Sequence, residues 1–423
     1  MFETKKRKIK NKDGAGMMRH LTRILGTLLV GAMLAGTMLA GTGGHAAEGP
    51  VKVGILTDFG VFGGISGPGS VQAARMAIDD FGGQVLGQPI GLIAADHLGK
   101  TDTGVGLARS WYDSEGVDAI FDISQSAIAL GIQQLAREKN KIIIFTGAAS
   151  SDLTGKACSP NGFSWGYDTY SMTHGGPEAA MKDGKKDWFL MIWDYAVGYA
   201  FERDITDTIT KAGGRVLGTV KVPLGTTDYS AFLLQARASG AQLIGVLLAG
   251  SDLINAVKQS EEYRIVQGGQ TLITPLAFVN DVHAIGLNAA QGMLLSEDLY
   301  WDQDDASRAW TKRFSEKMNR PPSRNHGLVY SAVTHYLKAV QKAGTRDTQA
   351  VIAAMRSMPV EDLFTKPTML RADGKLPRQM YLMRVKKPEE SKYPWDYEAL
   401  VSVIPGERAF RQPADSECPL FKK

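Results

Sequence analysis

The sequence predicts an α/β protein built as two doubly wound parallel-sheet lobes joined by three passages of chain. Three observations carry this. Residues 117–155 read strand, helix, strand: Val117, Ile120, Phe121 and Ile123 form a buried-strand pattern, and Ile128, Ile132 and Leu135 mark one face of a helix. Ile142 to Phe145 then form a second apolar run. A second series of strands and helices starts over near residue 188 without residue-level identity to the first. Between and after the two series lie three segments suited to crossing, at 158–176, 292–302 and 375–380, and three crossings between two lobes make a hinge.

The elements follow in order. Val51 to Leu56 opens the first sheet, and the loop 57–70 leads into a helix from about Val71 to Phe81. Residues 89–95 make the next strand and Asp102 to Ser114 the next helix, ahead of the unit at 117–155. The second series places strands at 188–194, 216–223, 243–250 and 271–275, with helices at 198–212, 228–238 and 252–263 between them. Helices at 304–318, 325–343 and 347–357 come next, then the turn signal at 371–375 and two antiparallel strands at 381–387 and 397–405. The lobes are expected to comprise 48–168 with 297–376, and 169–296 with 377–423.

At 423 residues, 22% charged and 44% hydrophobic, the chain has ordinary globular composition. Its net charge of +4 is inflated by a basic N-terminal run, and the near-neutral remainder argues against nucleic-acid binding. Residues 24–47 are apolar, rich in Gly and Ala, and follow Arg19 and Arg23, which is the order of a secretory signal. Residues 1–47 are therefore expected to be a signal peptide, starting in effect at Met17 or Met18 and cleaved near Ala46 or Ala47, with the mature protein in the periplasm. Cys158 and Cys418 are the two cysteines, and in an oxidising compartment they invite a disulfide, two unpaired thiols being the alternative.

Several chemistries fail on spacing. The glycines of 57–70 do not fit a dinucleotide fingerprint, and Gly99-Lys100-Thr101 has Ala94 where a phosphate loop needs glycine. Asp96 and His97 are too few for a metal, and no cofactor is expected. No nucleophile signature is present, so an enzyme is not expected.

Both strands of 117–155 run out into small hydroxylic residues, Ser124-Gln125-Ser126 and Ala148-Ala149-Ser150. Ligands of open parallel sheets sit just beyond such strand ends, so half of a site is expected there. Ser126 also suits a helix N-cap.

The opening VKVGILTDFG, the segments SGPGSVQAARMAIDDF, FDISQSAIAL, FTGAASSDLTG and DYAVGYAFERD, and YSAVTHYLKAV resemble, in order and spacing, the type I substrate-binding proteins of bacterial ABC importers, in the branched-chain amino acid binding group. The resemblance covers nearly all of the mature chain. It implies the type I periplasmic binding protein fold, a monomer that closes two lobes over a small molecule, and a membrane permease as partner. It implies that Ser124, Gln125, Ser126, Ala148, Ala149 and Ser150 grip a carboxylate, with Asp194, Tyr195, Tyr199, Ser251 and Asp252 contributed by the second lobe. Where amino-acid binders offer a carboxylate to the ligand's ammonium, this chain reads Leu276-Ala277-Phe278. With Phe62, Tyr195, Phe278 and Tyr300 as aromatic walls, the expected ligand is an aromatic acid, in line with a resemblance to the subgroup that takes up benzoate-like acids. Branched-chain or other aliphatic amino acids or amides are the alternative, with Asp252 or Asp281 as the compensating carboxylate; a secreted enzyme or a sensory domain is more distant.

Overall fold

The computed structural model describes residues 49–421, apart from 61, 175, 182 and 183, so the apolar run expected to direct export lies outside the described residues. Two large sheets organise the chain. The first has five strands in the order Gly91–Asp96, Lys52–Thr57, Ala119–Asp122, Ile142–Phe145, Gly162–Ser164, all parallel. The second has seven, in the order Glu398–Ile404, Met380–Val385, Leu294–Glu297, Thr271–Ile273, Leu243–Leu247, Asp187–Trp193, Arg215–Val222. Its last five are parallel, and the two chain-terminal strands add on antiparallel.

The apolar runs form strands because both faces of each sheet are covered, which removes the need for polar alternation. In the first sheet Val53, Ile55, Phe121, Ile142 and Ile144 pack with the helices Gly67–Asp80 and Arg324–Ala343. Leu56, Ile120, Ile143 and Phe145 point the other way, toward the helices Thr101–Ser110 and Ser126–Glu138. A further core, with Trp188 and Phe201 within it, surrounds the second sheet and reaches Phe62, Ala149 and Tyr167. After Leu294–Glu297 the chain returns to the first sheet, where Trp310, Phe314 and Val351 join its core, and it passes back at Lys375, bridged to Ser164, before Met380–Val385.

Three features depart from the expected elements. Gly162–Ser164, expected within a turn-rich crossover, is the fifth strand of the first sheet, and Phe163 is fully buried there. Two short hairpins, at 84–89 and 360–368, fall in segments read as connections. Ser126 is not the cap of its helix: Gln125 occupies that position, and the Ser126 hydroxyl accepts the Ser150 N–H at 3.1 Å instead. Cys158 and Cys418, 260 residues apart, form the disulfide and fasten the C-terminal tail.

Candidate ligand-binding site

In each sheet the first strand of the series lies between the second and the third, so the connections leave it in opposite directions. The carboxyl ends at such a switch point cannot both be covered by the helices that follow, and a crevice opens there. Residues from both crevices line one narrow cavity of about 20 Å³. Phe62 and Ser66 follow Lys52–Thr57, and Ser124 and Ser126 follow Ala119–Asp122. Trp193 ends the corresponding strand of the second sheet, Tyr195 and Val197 follow it, and Ala249 follows Leu243–Leu247.

Four long helices begin at this cavity on lining residues: Gly67–Asp80 from its N-cap Ser66, Ser126–Glu138, Ala196–Lys211 from its N-cap Tyr195, and Gly250–Glu262 from its N-cap Ala249. Asn325, in the first turn of Arg324–Ala343, brings a fifth. The first turns of these helices and the positive end of each dipole therefore converge on one spot, which favours an anion.

The first-sheet half of the cavity is polar and tightly held. Asp122 and Ile123 adopt left-handed backbone conformations, φ 78° and 53°. Such strain in a β-branched residue persists only where its surroundings fix it. Here they do: the Asp122 carboxylate accepts from Thr146 Oγ1 at 3.1 Å and from Asn325 Nδ2 at 2.9 Å, and its carbonyl accepts the Thr146 N–H at 3.2 Å. A Cβ on Gly147 would meet Asp122 Oδ1 and Ser124 Cα at 2.9 Å, so only glycine lets the two strand ends approach. Asn325 Nδ2 also donates to Ser66 Oγ at 2.8 Å, while Asn325 Oδ1 is buried without a partner.

Behind Ser124 lies His97, fully buried, with Nε2 at 3.2 Å from Ser124 Oγ. The Gly99 N–H donates to His97 Nδ1 at 3.2 Å, so the neutral ring carries its hydrogen on Nε2 and donates it to Ser124. Burial holds the His97 pKa below its ordinary value despite Asp58, whose carboxylate lies 4.0 Å from Nδ1. With its oxygen already accepting, the Ser124 hydroxyl hydrogen is free to point into the cavity.

The opposite half is aromatic. Phe62, Tyr167, Trp193, Tyr195 and Phe278 supply five rings, with Phe62 against Trp193 and Tyr167 against Phe278 edge to face. Trp193 is fixed from behind by Asp252, which accepts its indole N–H at 2.7 Å and the Gly225 N–H at 3.0 Å. The Arg324 guanidinium, fully buried, lies 4.1 Å from the Phe278 ring centre and 4.3 Å from that of Tyr167, with Glu297 at 3.2 Å. Its charge thus stands behind two walls of the cavity. Among the described residues, no Asp, Glu, Lys, Arg or His lines the cavity.

Of the residues singled out in the sequence, Phe62, Ser124, Ser126, Ala149, Tyr195 and Phe278 line the cavity. Gln125 is turned away to donate to Asp58 at 3.2 Å, and Ala148 packs in the core behind the first sheet. Ser150 caps the short turn Ser151–Leu153. Asp194 and Tyr199 are exposed and bonded to each other at 2.5 Å, and Ser251 is exposed. Tyr300 lines a separate surface crevice with Tyr393 and Glu398. Neither carboxylate considered for an ammonium faces the cavity: Asp252 holds Trp193, and Asp281 is buried accepting the Phe278 N–H at 3.1 Å. Sequence reasoning did not single out Tyr167, Leu276 or Asn325 for the site and assigned Trp193 to packing. The polar run Ser323-Arg324-Asn325-His326, opening an otherwise apolar helix, is the signal that could have found Asn325.

Residues 50–392 match the periplasmic binding protein family. The chain belongs to that family. A periplasmic binding protein from Burkholderia mallei is 43% identical, superposes with a TM-score of 0.86, and is matched over 88% of this chain and 99% of its own. The Leu/Ile/Val-binding protein homolog 6 of Brucella melitensis is 22% identical over 81% of this chain and 89% of its own length. An ABC transporter solute-binding protein of R. palustris, solved in complex with benzoate, shares the fold at 19% identity, with a TM-score of 0.75 over 84% of this chain and 97% of its own. This periplasmic binding protein is accordingly a solute-binding component of the ABC-importer type and not an enzyme. Among the described residues, no helix is long and apolar enough to cross a membrane.

Proposed function

We propose that this binding protein captures a small aromatic carboxylate of benzoate size and delivers it to an ABC permease after export by the signal run at 1–47. The observation that carries the reading is the division of the cavity. Hydroxyls and converging helix N-termini face an anion on one side, five rings face it on the other, and no carboxylate is present to meet an ammonium. An α-amino acid would leave its ammonium unpaired in a desolvated slot, at a cost of several kcal/mol. A benzoate ring would instead stack or meet edges among Phe62, Trp193 and Phe278. Hydroxylated benzoates belong to the same class. Binding contacts from both halves favour the closed arrangement over an open one.

The experiment is calorimetric titration of the mature chain with benzoate, 4-hydroxybenzoate, benzyl alcohol and leucine. Binding of the two acids and not of the alcohol or leucine supports the reading. Leucine binding tighter than benzoate overturns it and favours the aliphatic reading that the name of the Brucella relative suggests.

A further inference from the structure

Outside the cavity lining, a polar cluster joins the two halves of the molecule. Ser151 and Asp152 open the turn Ser151–Leu153 on the first-sheet side, where Leu153 shares a core with Ile128 and Ile132. Arg203 and Asp204 lie midway along Ala196–Lys211, whose Phe201 and Ile205 belong to the core of the second sheet. Thr169 begins the helix Thr169–His174, just after the first passage between the halves. Arg411 lies in the tail that Cys418 fastens to Cys158.

The bonds of the cluster run in one sense, toward a single carboxylate. Asp204, 1% exposed, accepts at Oδ2 from the Ser151 and Thr169 hydroxyls, both at 2.6 Å. At Oδ1 it accepts from Arg203 Nε at 3.0 Å and from Arg411 Nη2 at 3.1 Å. Having given their hydrogens to Asp204, the two hydroxyls accept in turn. Ser151 Oγ takes Arg203 Nη2 at 2.6 Å, and Thr169 Oγ1 takes the Ser151 N–H at 3.2 Å. Arg203 Nη1 donates to Asp152 Oδ1 at 2.7 Å. Three of these bonds, Ser151 to Asp204 and Arg203 to both Ser151 and Asp152, run from one half to the other. Charge-assisted bonds are the strong ones, and linked chains of them polarise one another.

The cluster is tied to the cavity without facing it. Ser151 follows Ala149, which lines the cavity, and Ser150, whose N–H is held by the lining residue Ser126. The Thr169 N–H donates to the Ala149 carbonyl at 2.7 Å. Asp204 stands about 13 Å along its helix axis from the N-cap Tyr195, another lining residue.

We propose that Arg203 and Asp204 form a latch with Ser151 and Asp152: positioning residues, outside the lining, that hold the two halves closed over a captured solute. Parting the halves takes the Ser151 donor from a buried carboxylate and parts the guanidinium from Asp152, so the latch slows release. It acts on closure and not on the choice of solute, and therefore does not rest on the aromatic-acid reading. Weakening it lowers the closed population, and apparent affinity falls by the same factor.

The test is stopped-flow tryptophan fluorescence of the mature chain with benzoate, joined to small-angle scattering of the same proteins. Arg203→Met should raise koff about tenfold and Ser151→Ala about fivefold, with kon within about twofold of the parent. Arg203→Lys should recover only part of the loss, because one ammonium cannot serve Asp204, Ser151 and Asp152 as the planar fork does. A merely structural role gives the opposite split, with kon lowered and koff unchanged. Ser151→Ala, the smaller change, decides if Arg203→Met does not fold. An unchanged koff in the variants overturns the latch. If benzoate does not bind the parent, the aromatic-acid reading fails and scattering decides the latch alone. Ser151→Ala, Arg203→Met should then show a larger radius of gyration than the parent, and an equal radius overturns it.

Discussion

The sharpest test of the cleft concerns the hydrogen of one hydroxyl. Ser124 lines the cavity, and its oxygen accepts from His97 Nε2 because His97 Nδ1 is occupied by the Gly99 N–H. His97 therefore acts through Ser124 as a positioning residue and does not itself line the cavity. A hydroxyl donating to a buried carboxylate contributes about 1.5–3 kcal/mol, so Ser124→Ala should weaken benzoate about 10- to 150-fold. His97→Leu leaves the hydroxyl free to turn away and should cost about tenfold, whereas His97→Gln, with an amide N–H in place of Nε2–H, should recover most of the loss. The double variant Ser124→Ala, His97→Leu should bind no more weakly than Ser124→Ala alone. Calorimetry of the four proteins decides it: additive losses would refute the argument, since His97 would then act by a route other than Ser124. The acid limb follows with the same sign. A pKa held below 6.5 by burial means that the neutral ring's contribution is complete above that value and is lost as pH falls through the folded value, when the added proton must go to Nδ1 against the Gly99 N–H. Affinity should be flat from pH 7 to 8 and fall in acid, and His97→Gln should flatten that limb.

Stability should run the other way. Burial pushes Asp281 up to about 7 and Glu398 up to about 8, so the folded state holds protons that the unfolded chain releases near 4. Unfolding midpoints should therefore decline as pH rises from about 4 to 8, and Glu398→Gln should remove part of that slope; a midpoint that climbs across the window contradicts it. Loss of the 260-residue crosslink in Cys158→Ser, Cys418→Ser should cost about 5 kcal/mol and lower the melting midpoint by roughly 6 °C, read by calorimetry with and without reductant on the parent. Asp252→Leu frees the Trp193 indole and leaves its N–H unpaired, and should weaken benzoate about tenfold with a loss of stability of about 1–3 kcal/mol. Tyr199→Phe, outside the cavity lining, should change affinity by less than about twofold despite removing the bond to Asp194.

The sheets were legible because a strand buried on both faces leaves an unbroken apolar run, as Ile142 to Phe145 does, and the helices between them carry one apolar stripe. Gly162–Ser164 was not, since three residues between Asn161 and Trp165 offer no period to read. The strand-end serines pointed to the site because chain topology alone places them there. Their partners were hidden by distance: Asn325 reaches Asp122 across 203 positions, and Asp298 reaches Tyr167 across 131. Trp193 looks like core in the sequence, and it is fully buried; only the Asp252 bond behind it aims one face at the cavity.

The proposed anion site has no charged side chain in its lining among the described residues, and the arrangement is consistent with that proposal. A cation placed directly in the slot would need its own counter-charge in the open state and would bind chloride or phosphate without regard to the ring. Helix N-termini supply a fixed, partial positive potential that costs no desolvation when the ligand leaves. Arg324 adds a whole charge, but it acts through the rings of Phe278 and Tyr167 and is already matched by Glu297. Burial pushes the Glu297 pKa up, Arg324 opposes that rise, and Glu398 and Asp298 add to it. The ligand that gains most from such a slot carries one negative charge on a flat apolar body, because only that shape meets the polar and the aromatic half at once.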